Sequence, residues 1–349
     1  MNYRVSLNKP GGERWAGIDV PGGRTILETA LSEGIDYPHG CRSGNCGGCK
    51  SHLVSGDVEM APYSPFALTG EERDRGLILA CRSVPWSDCT VQPVEADEEA
   101  VHASRRLDCR VAGIDRATHD IRILSLDIES GGPFDFTAGQ YAALAFEDLP
   151  ARDFSMASPP GAARLEFHVR LVSGGQVTRH VMSTLRTGDL VSVNGPMGTA
   201  HYRKSHRGPI LLVAGGSGLA PIKSIAGSAL AGGAGQDMFL YFGARTERDV
   251  YLEEHFSALA ARHPNLRTVT VLSEPAAPTR RRTGWLADAL AADFDDFDGF
   301  KAYLAGPPAM VESCTDRLLA LGLARRDCHA DPFYTEAEKA SGETGRGAA

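Results

Sequence analysis

The sequence predicts a multidomain chain: a small α+β unit, then an antiparallel β-barrel, then an α/β unit built on a parallel sheet. Three observations predict it. A short cysteine-rich loop follows a single capped helix near the start, and short alternating strands fill residues 109 to 202. Buried apolar strands then alternate with helices after residue 207. A length of 349 residues also exceeds what one ordinary core supports.

The first segment, 1–95, mixes short strands with the helix "RTILETALSEGI". Thr25 and Glu28 have capping-box spacing, and Ile26, Leu27, Ala30 and Leu31 share one face. An acid- and alanine-rich stretch, Pro93 to Arg106, breaks the periodicity and reads as a linker. The second segment, 104–204, carries the strands "CRVAGI", "IRILSLDI", "QYAALAF", "RLEFHVRLV" and "DLVSVNG" between Gly and Pro turns, the pattern of a barrel. In the third, 207–335, the runs "ILLVAGG", "FLYFGA", "VTVLSE" and "KAYLAGPP" have the near-continuous apolarity of parallel strands covered on both faces. Residues 336–349 are small and polar, and disorder is expected there.

A hydrophobic content of 42% with 23% charged residues is that of an ordinary folded protein. The net charge of −8, with no dense basic block beyond Arg280 to Arg282, argues against nucleic acid or an anionic membrane as a partner. The first residues lack the apolar centre of a secretory signal, and "PILLVAGG" is too short to span a bilayer. A cytoplasmic protein is expected, where eight cysteines serve as metal ligands or core residues rather than disulfides.

Cys41, Cys46 and Cys49 have the spacing C-x4-C-x2-C, and Cys81 follows in "LILACRS". This is the ligand spacing of a plant-type 2Fe-2S cluster. Ser43, Gly44, Gly47 and Gly48 are small enough for the backbone to wrap closely and aim N–H groups at sulfur. A four-cysteine zinc site uses two separated C-x2-C pairs instead. A Rieske cluster needs two histidine ligands, and His52 has no matching partner. His39 reads as a packing residue, and Cys89, Cys109, Cys314 and Cys328 as buried small hydrophobes.

In the barrel segment, "RDFS" (Arg152 to Ser155) combines a cation, an aromatic and a hydroxyl, and "SGGQVT" (Ser173 to Thr178) is a glycine-rich turn. An Arg neutralises a diphosphate, an aromatic stacks on a ring, and glycines admit phosphate to the backbone. Either motif alone is equally a surface Arg or a hairpin turn. In the third segment a strand runs into Gly215, Gly216, Ser217 and Gly218, with Pro221 early in a helix, so backbone donors and the positive helix end can face a pyrophosphate. The acidic residue usual after the second strand is replaced by Gly243, Ala244 and Arg245. Arg245 or the Arg280–Arg282 run is a candidate for a 2′-phosphate, although solvated surface charge is the simpler reading of the run.

Taken in order, "CRSGNCGGC", "RDFS", "GGQVT", "GGSGLAP", "GARTERDVY", "AGPPAM" and the closing "HADPFY" resemble the reductase components of bacterial aromatic-ring dioxygenases of the naphthalene dioxygenase reductase type, in the ferredoxin-NADP reductase superfamily. The resemblance covers residues 1 to about 335 and implies a β-grasp ferredoxin domain, an FAD-binding barrel and a nucleotide-binding α/β domain. It further implies an NAD(P)H-dependent oxidoreductase, with NADH (or NADPH), FAD and a 2Fe-2S cluster as cofactors. Arg152 would hold the FAD diphosphate, Phe154 would pack on the flavin, and Ser155, the catalytic candidate, would bond near its N5. Gly175, Val177 and Thr178 would meet the diphosphate, and Phe167 to Arg170, with His168 and Val169, would supply backbone beside the ring. Phe333 is the candidate for the aromatic at the ring face. Gly215 to Gly218 and Pro221 would cradle the dinucleotide, Gly243, Arg245 and Asp249 would flank its adenosine half, and Gly306, Pro307 and Pro308 would form the turn near the nicotinamide. Ala305 departs from the pattern, since many superfamily members have cysteine there. The implied partner is a Rieske-type ferredoxin or a terminal oxygenase. A reductase for a soluble diiron monooxygenase uses the same modules, and a redox sensor without turnover is the reading from another class.

Overall fold

The computed structural model describes residues 2–40, 42–44, 47–64, 67–94, 98, 102–335 and 338. The chain divides into two compact units, Met1–Glu99 with Tyr334–Ala349, and Ala100–Phe333. The expected disordered tail lies outside the described residues, apart from Glu338.

In the first unit a five-stranded mixed sheet has the order Arg14–Pro21, Asn2–Asn8, Cys89–Pro93, Lys50–Ser55 and Leu77–Leu79. Asn2–Asn8 runs antiparallel to the first of these and parallel to Cys89–Pro93. The helix Ile26–Ser32 opens with the expected capping box, Thr25 accepting from the Glu28 N–H and Glu28 accepting from the Thr25 N–H. It buries Ile26, Leu27 and Ala30 against Val5, Leu7, Ile18, Leu79 and Val91. This sheet grasping one helix is the β-grasp fold. Tyr37 closes the core, bonded to Ser51 at 2.6 Å and stacked on Trp15.

The second unit begins with six antiparallel strands in the order Arg152–Ser155, Tyr141–Ala145, Leu190–Met197, Arg105–Arg116, Ile121–Ser130 and Leu165–Arg170. A bridge between Met156 and Phe167 brings the two edges together, giving a nearly closed barrel. Alternation carries its core: Leu124, Leu126, Phe167, Val169, Val191 and Val193 point inward. The "GGQVT" stretch is more than a turn, because a helix, Gln176–Ser183, starts inside it and buries Val177 and Val181. Its glycines signal a turn locally, while the apolar Val177 and Val181, four apart, signal the helix that the short motif concealed.

The rest of the second unit holds a six-stranded parallel sheet, ordered Arg282–Thr283, Leu266–Leu272, Met238–Ala244, Ile210–Gly215, Lys301–Gly306 and Cys328–Pro332. Every residue of Ile210–Gly215 and Lys301–Gly306 is buried, as the apolarity of all but Lys301 requires, and Lys301 itself is met by Asp327 at 2.9 Å. The strand order reverses beside Ile210–Gly215, so Gly215 and Gly306 end neighbouring strands at the switch point where such sheets bind ligands. Among the described residues no helix is long and apolar enough to cross a membrane.

Candidate functional site

In the first unit Cys49 and Cys81 are buried side by side, with the Cys81 N–H donating to the Cys49 sulfur at 3.4 Å. Cys41 and Cys46 lie outside the described residues. The loop around them needs glycine. Gly44 and Gly47 have φ of 80° and 74°, and a Cβ on Gly44 would fall 2.8 Å from the Arg82 side chain. Lys50, next to Cys49, is clamped to Glu72 at 2.7 Å with both side chains largely buried. Two buried sulfurs from separate elements, one receiving a backbone N–H, suit the donor set of an iron–sulfur cluster. His39 does more than pack: it meets Tyr37 O through Nδ1 at 2.7 Å and Arg42 through Nε2 at 3.1 Å, which orders the residue following Cys41.

Of the other four cysteines, Cys89, Cys109 and Cys314 are buried and Cys328 is partly buried. Burial pushes the thiols of Cys89 up to about 11 and of Cys109 and Cys314 to about 12. Cys328, also raised by burial, directs its S–H at Thr315.

In the second unit, Arg152 to Ser155 form a strand paired with Tyr141–Ala145. The Arg152 guanidinium donates to its neighbouring carbonyl at Ala151, and the described residues place no carboxylate on it. Phe154 lies half-buried on the barrel core. Ser155, 7% exposed, donates to Asp331 at 3.2 Å. Asp331 is a residue that motif reading missed, although it sits inside the quoted "HADPFY". The helix at Gln176 begins at Gly175 with no capping side chain and no acid in its first turn, so its leading N–H groups suit a diphosphate. Thr178 turns its hydroxyl back to Gly175 O and receives the Val172 N–H, fixing that turn.

The two glycine turns at the ends of the strands Ile210–Gly215 and Lys301–Gly306 interlock. A Cβ on Gly218 would lie 2.0 Å from Ala305 O, and one on Gly306 would lie 2.6 Å from Gly215 O. Gly216 adopts φ 54°. The helices beginning at Leu219, with Pro221 in its first turn, and at Pro308, just after Pro307, also start uncapped and without acids. The Phe333 N–H donates to Gly306 O at 2.9 Å, which brings the predicted aromatic to the Gly306 turn.

Of the FHVR residues, Phe167 and Val169 are core, whereas the His168 side chain meets Tyr251 and the Arg170 side chain lies against Gly216, both on the parallel-sheet half. His168 meets Glu166 at 2.9 Å and Tyr251 at 3.0 Å, and Lys223 meets Glu166 at 2.5 Å. Burial works to raise the Glu166 carboxyl, but hydrogen bonds from His168 and Lys223 outweigh it and hold the group down to about 2. Burial lowers His168 below its ordinary value. Arg170 bonds Asp120 at 3.0 Å, and Arg245 lies 3.0 Å from Asp249 and 3.6 Å from Asp120. Arg281 pairs with Glu247 and Glu253, and Arg282 with Asp293, so acids of this surface already engage those cations. Gly243 is glycine for packing, since a Cβ there would meet Leu286 at 2.6 Å.

Three family models match in the expected order: a 2Fe-2S iron-sulfur cluster binding domain at residues 13–85, an oxidoreductase FAD-binding domain at 108–202 and an oxidoreductase NAD-binding domain at 212–316. The chain is 40% identical over 319 residues to the ferredoxin–NAD(P)(+) reductase component of the naphthalene 1,2-dioxygenase/salicylate 5-hydroxylase systems of a Ralstonia species, covering 91% of this chain and 95% of that one. It is 38% identical to the reductase component of phenol 2-monooxygenase from Pseudomonas sp. strain CF600, covering 100% and 99%. Among solved structures, the Amycolatopsis cytochrome P450 reductase superposes with a TM-score of 0.76 at 34% identity, covering 95% and 98%.

Proposed function

The chain belongs to the ferredoxin–NAD(P)(+) reductase components of bacterial aromatic oxygenase systems, and from that premise we propose that its electrons pass to a Rieske-type ferredoxin or a terminal aromatic-ring dioxygenase. It is an NAD(P)H-dependent oxidoreductase that carries electrons from NAD(P)H through FAD to a 2Fe-2S cluster. Bound FAD would supply a hydride acceptor and the 2Fe-2S cluster a one-electron carrier, which would let a two-electron donor serve a one-electron acceptor.

We assign the protein side as follows. Arg152 and the open N-terminus of the Gln176 helix would bind the FAD diphosphate. Ser155, held by Asp331, would present its hydroxyl to the flavin ring edge with its orientation fixed. The Gly215–Gly218 and Gly306–Pro308 turns would seat the dinucleotide. Cys41, Cys46, Cys49 and Cys81 would ligate the cluster. Segments 1–95, 104–204 and 207–335 would be the corresponding functional domains, working in the cytoplasm.

The observation that carries this reading is the Ser155–Asp331 contact, because it joins the flavin-side strand to the strand beside Gly306. The test is anaerobic addition of NADH, followed by visible absorbance and low-temperature EPR. Bleaching of the flavin together with a reduced 2Fe-2S signal supports it, and cofactors left oxidised by both NADH and NADPH would refute it. A diiron monooxygenase as partner is the second reading, favoured by the end-to-end match to the phenol 2-monooxygenase reductase component. Turnover assays with a purified Rieske ferredoxin and with a diiron hydroxylase separate the two.

A further inference from the structure

Behind the Gly215–Gly218 turn runs a buried line of polar side chains to which the assignments above give no role. The Tyr251 hydroxyl lies 3.2 Å from Gly216 O and 3.0 Å from His168 Nδ1. His168 Nε2 lies 2.9 Å from Glu166, which also receives Lys223. The His168 side chain is wholly buried, and Tyr251 is 6% exposed. Gly216 is the residue in the left-handed conformation, so its carbonyl direction decides how the turn presents its N–H groups.

The line can be counted in hydrogens. Its contacts are carbonyl to hydroxyl, hydroxyl to Nδ1, and Nε2 to carboxylate, and each needs one. Glu166, ionised against Lys223, brings none; Tyr251 brings one. A neutral His168 brings one, which belongs on Nε2 facing the carboxylate, and leaves the single Tyr251 hydrogen with two acceptors. An imidazolium brings two and satisfies all three contacts.

We propose that Tyr251 and His168 are positioning residues for the dinucleotide, with the proton on His168 deciding whether the Tyr251 hydroxyl is committed to the Gly216 carbonyl. The inference rests on the reading that this turn seats NAD(P)H. The groups facing His168 are Glu166 on its own strand, Lys223 on the Leu219–Ala231 helix, Tyr251, and His255 on the Glu253–Arg262 helix. Burial holds His168 neutral at neutral pH, so the turn tightens as pH falls.

The experiment is anaerobic stopped-flow reduction of the holoprotein at varied NADH, from about pH 5.5 to about pH 8, which yields an apparent Kd and a limiting rate. In the wild type, Kd falls toward acid. Tyr251→Phe raises Kd about 3- to 10-fold at the acid end, the worth of one hydrogen bond, flattens the pH profile and leaves the limiting rate within about twofold. His168→Gln, which keeps an uncharged donor, flattens the profile as well, and it decides the matter if Tyr251→Phe fails to retain FAD. A Tyr251→Phe protein with wild-type Kd and profile would overturn the inference alone. A wild type that NADH does not reduce would overturn the underlying reading and this one with it.

Discussion

Ser155 donates its hydroxyl to the carboxylate of Asp331 at 3.2 Å, across 176 residues of chain. Ser155 ends a barrel strand and Asp331 lies on the outer strand of the parallel sheet, so one bond aligns two elements that carry opposite halves of the proposed hydride path. Ser155→Ala is expected to slow flavin reduction by about 10-fold with FAD retained, since the hydroxyl gives its one hydrogen to Asp331 and would turn an oriented acceptor lone pair toward the ring edge. Asp331→Asn should cost less, because it frees the hydroxyl without removing it. Stopped-flow reduction at saturating NADH measures both, and equal rates for Ser155→Ala and wild type would remove Ser155 from the path.

Cys81→Ser should abolish the 2Fe-2S absorbance and EPR signal while leaving FAD bound. NADH-driven reduction of ferricyanide, which the flavin can serve, is expected to persist, and reduction of the partner to vanish. Cys89→Ser, by contrast, should keep the cluster, because Cys89 is a core thiol.

Gly218→Ala is expected to destroy nucleotide binding or the fold of the turn itself. The added Cβ would sit 2.0 Å from a backbone carbonyl that belongs to a fully buried strand and has nowhere to move. Gly227→Ala, in the middle of the following helix with open space around it, is the control and should be neutral or stabilising. Thermal melting and NADH titration distinguish them.

The coenzyme preference should favour NADH. Arg245 already faces Asp249 and Asp120, so a 2′-phosphate there meets carboxylates as well as the cation. Asp249→Asn is expected to raise kcat/KM for NADPH by about 10-fold, roughly the worth of one relieved like-charge contact. An unchanged NADPH/NADH ratio would show that the 2′ position lies elsewhere.

Acid should destabilise the second unit in two stages. The folded values of His168 and Glu166 both lie below their unfolded ones, so the unfolded chain binds protons more tightly and stability falls as pH drops. His168 contributes fully above its ordinary 6.5 and loses its contribution below it. Glu166 loses its contribution from its ordinary 4.5 down to about 2, worth about 3 kcal/mol. Urea melts across this range should flatten at the acid end in Glu166→Gln.

Much of this was legible in one dimension. The cysteine spacing, the glycine turns and the switch from period-two alternation to solid apolar strands are local signals, and the helix at Ile26 opens at the capping box its sequence announced. What escaped was set by tertiary contact. In the sequence His168 reads only as backbone beside the flavin ring, and the contacts of its side chain depend on Glu166, Lys223 and Tyr251, two of which come from other elements. Asp331 is an ordinary acid until the last strand is laid beside Lys301–Gly306. The Arg280–Arg282 run shows the converse, since two of its three cations, Arg281 and Arg282, proved to be engaged by Glu247, Glu253 and Asp293.

The Glu166–Lys223 pair has a consequence for gene recombination. A chimaera that keeps this barrel but takes its nucleotide half from another protein inherits a half-buried carboxylate, and its host must supply an ammonium at one helix position to meet it. The join between these halves is therefore a poor crossover point, and the pair is expected to travel through evolution as one heritable cassette.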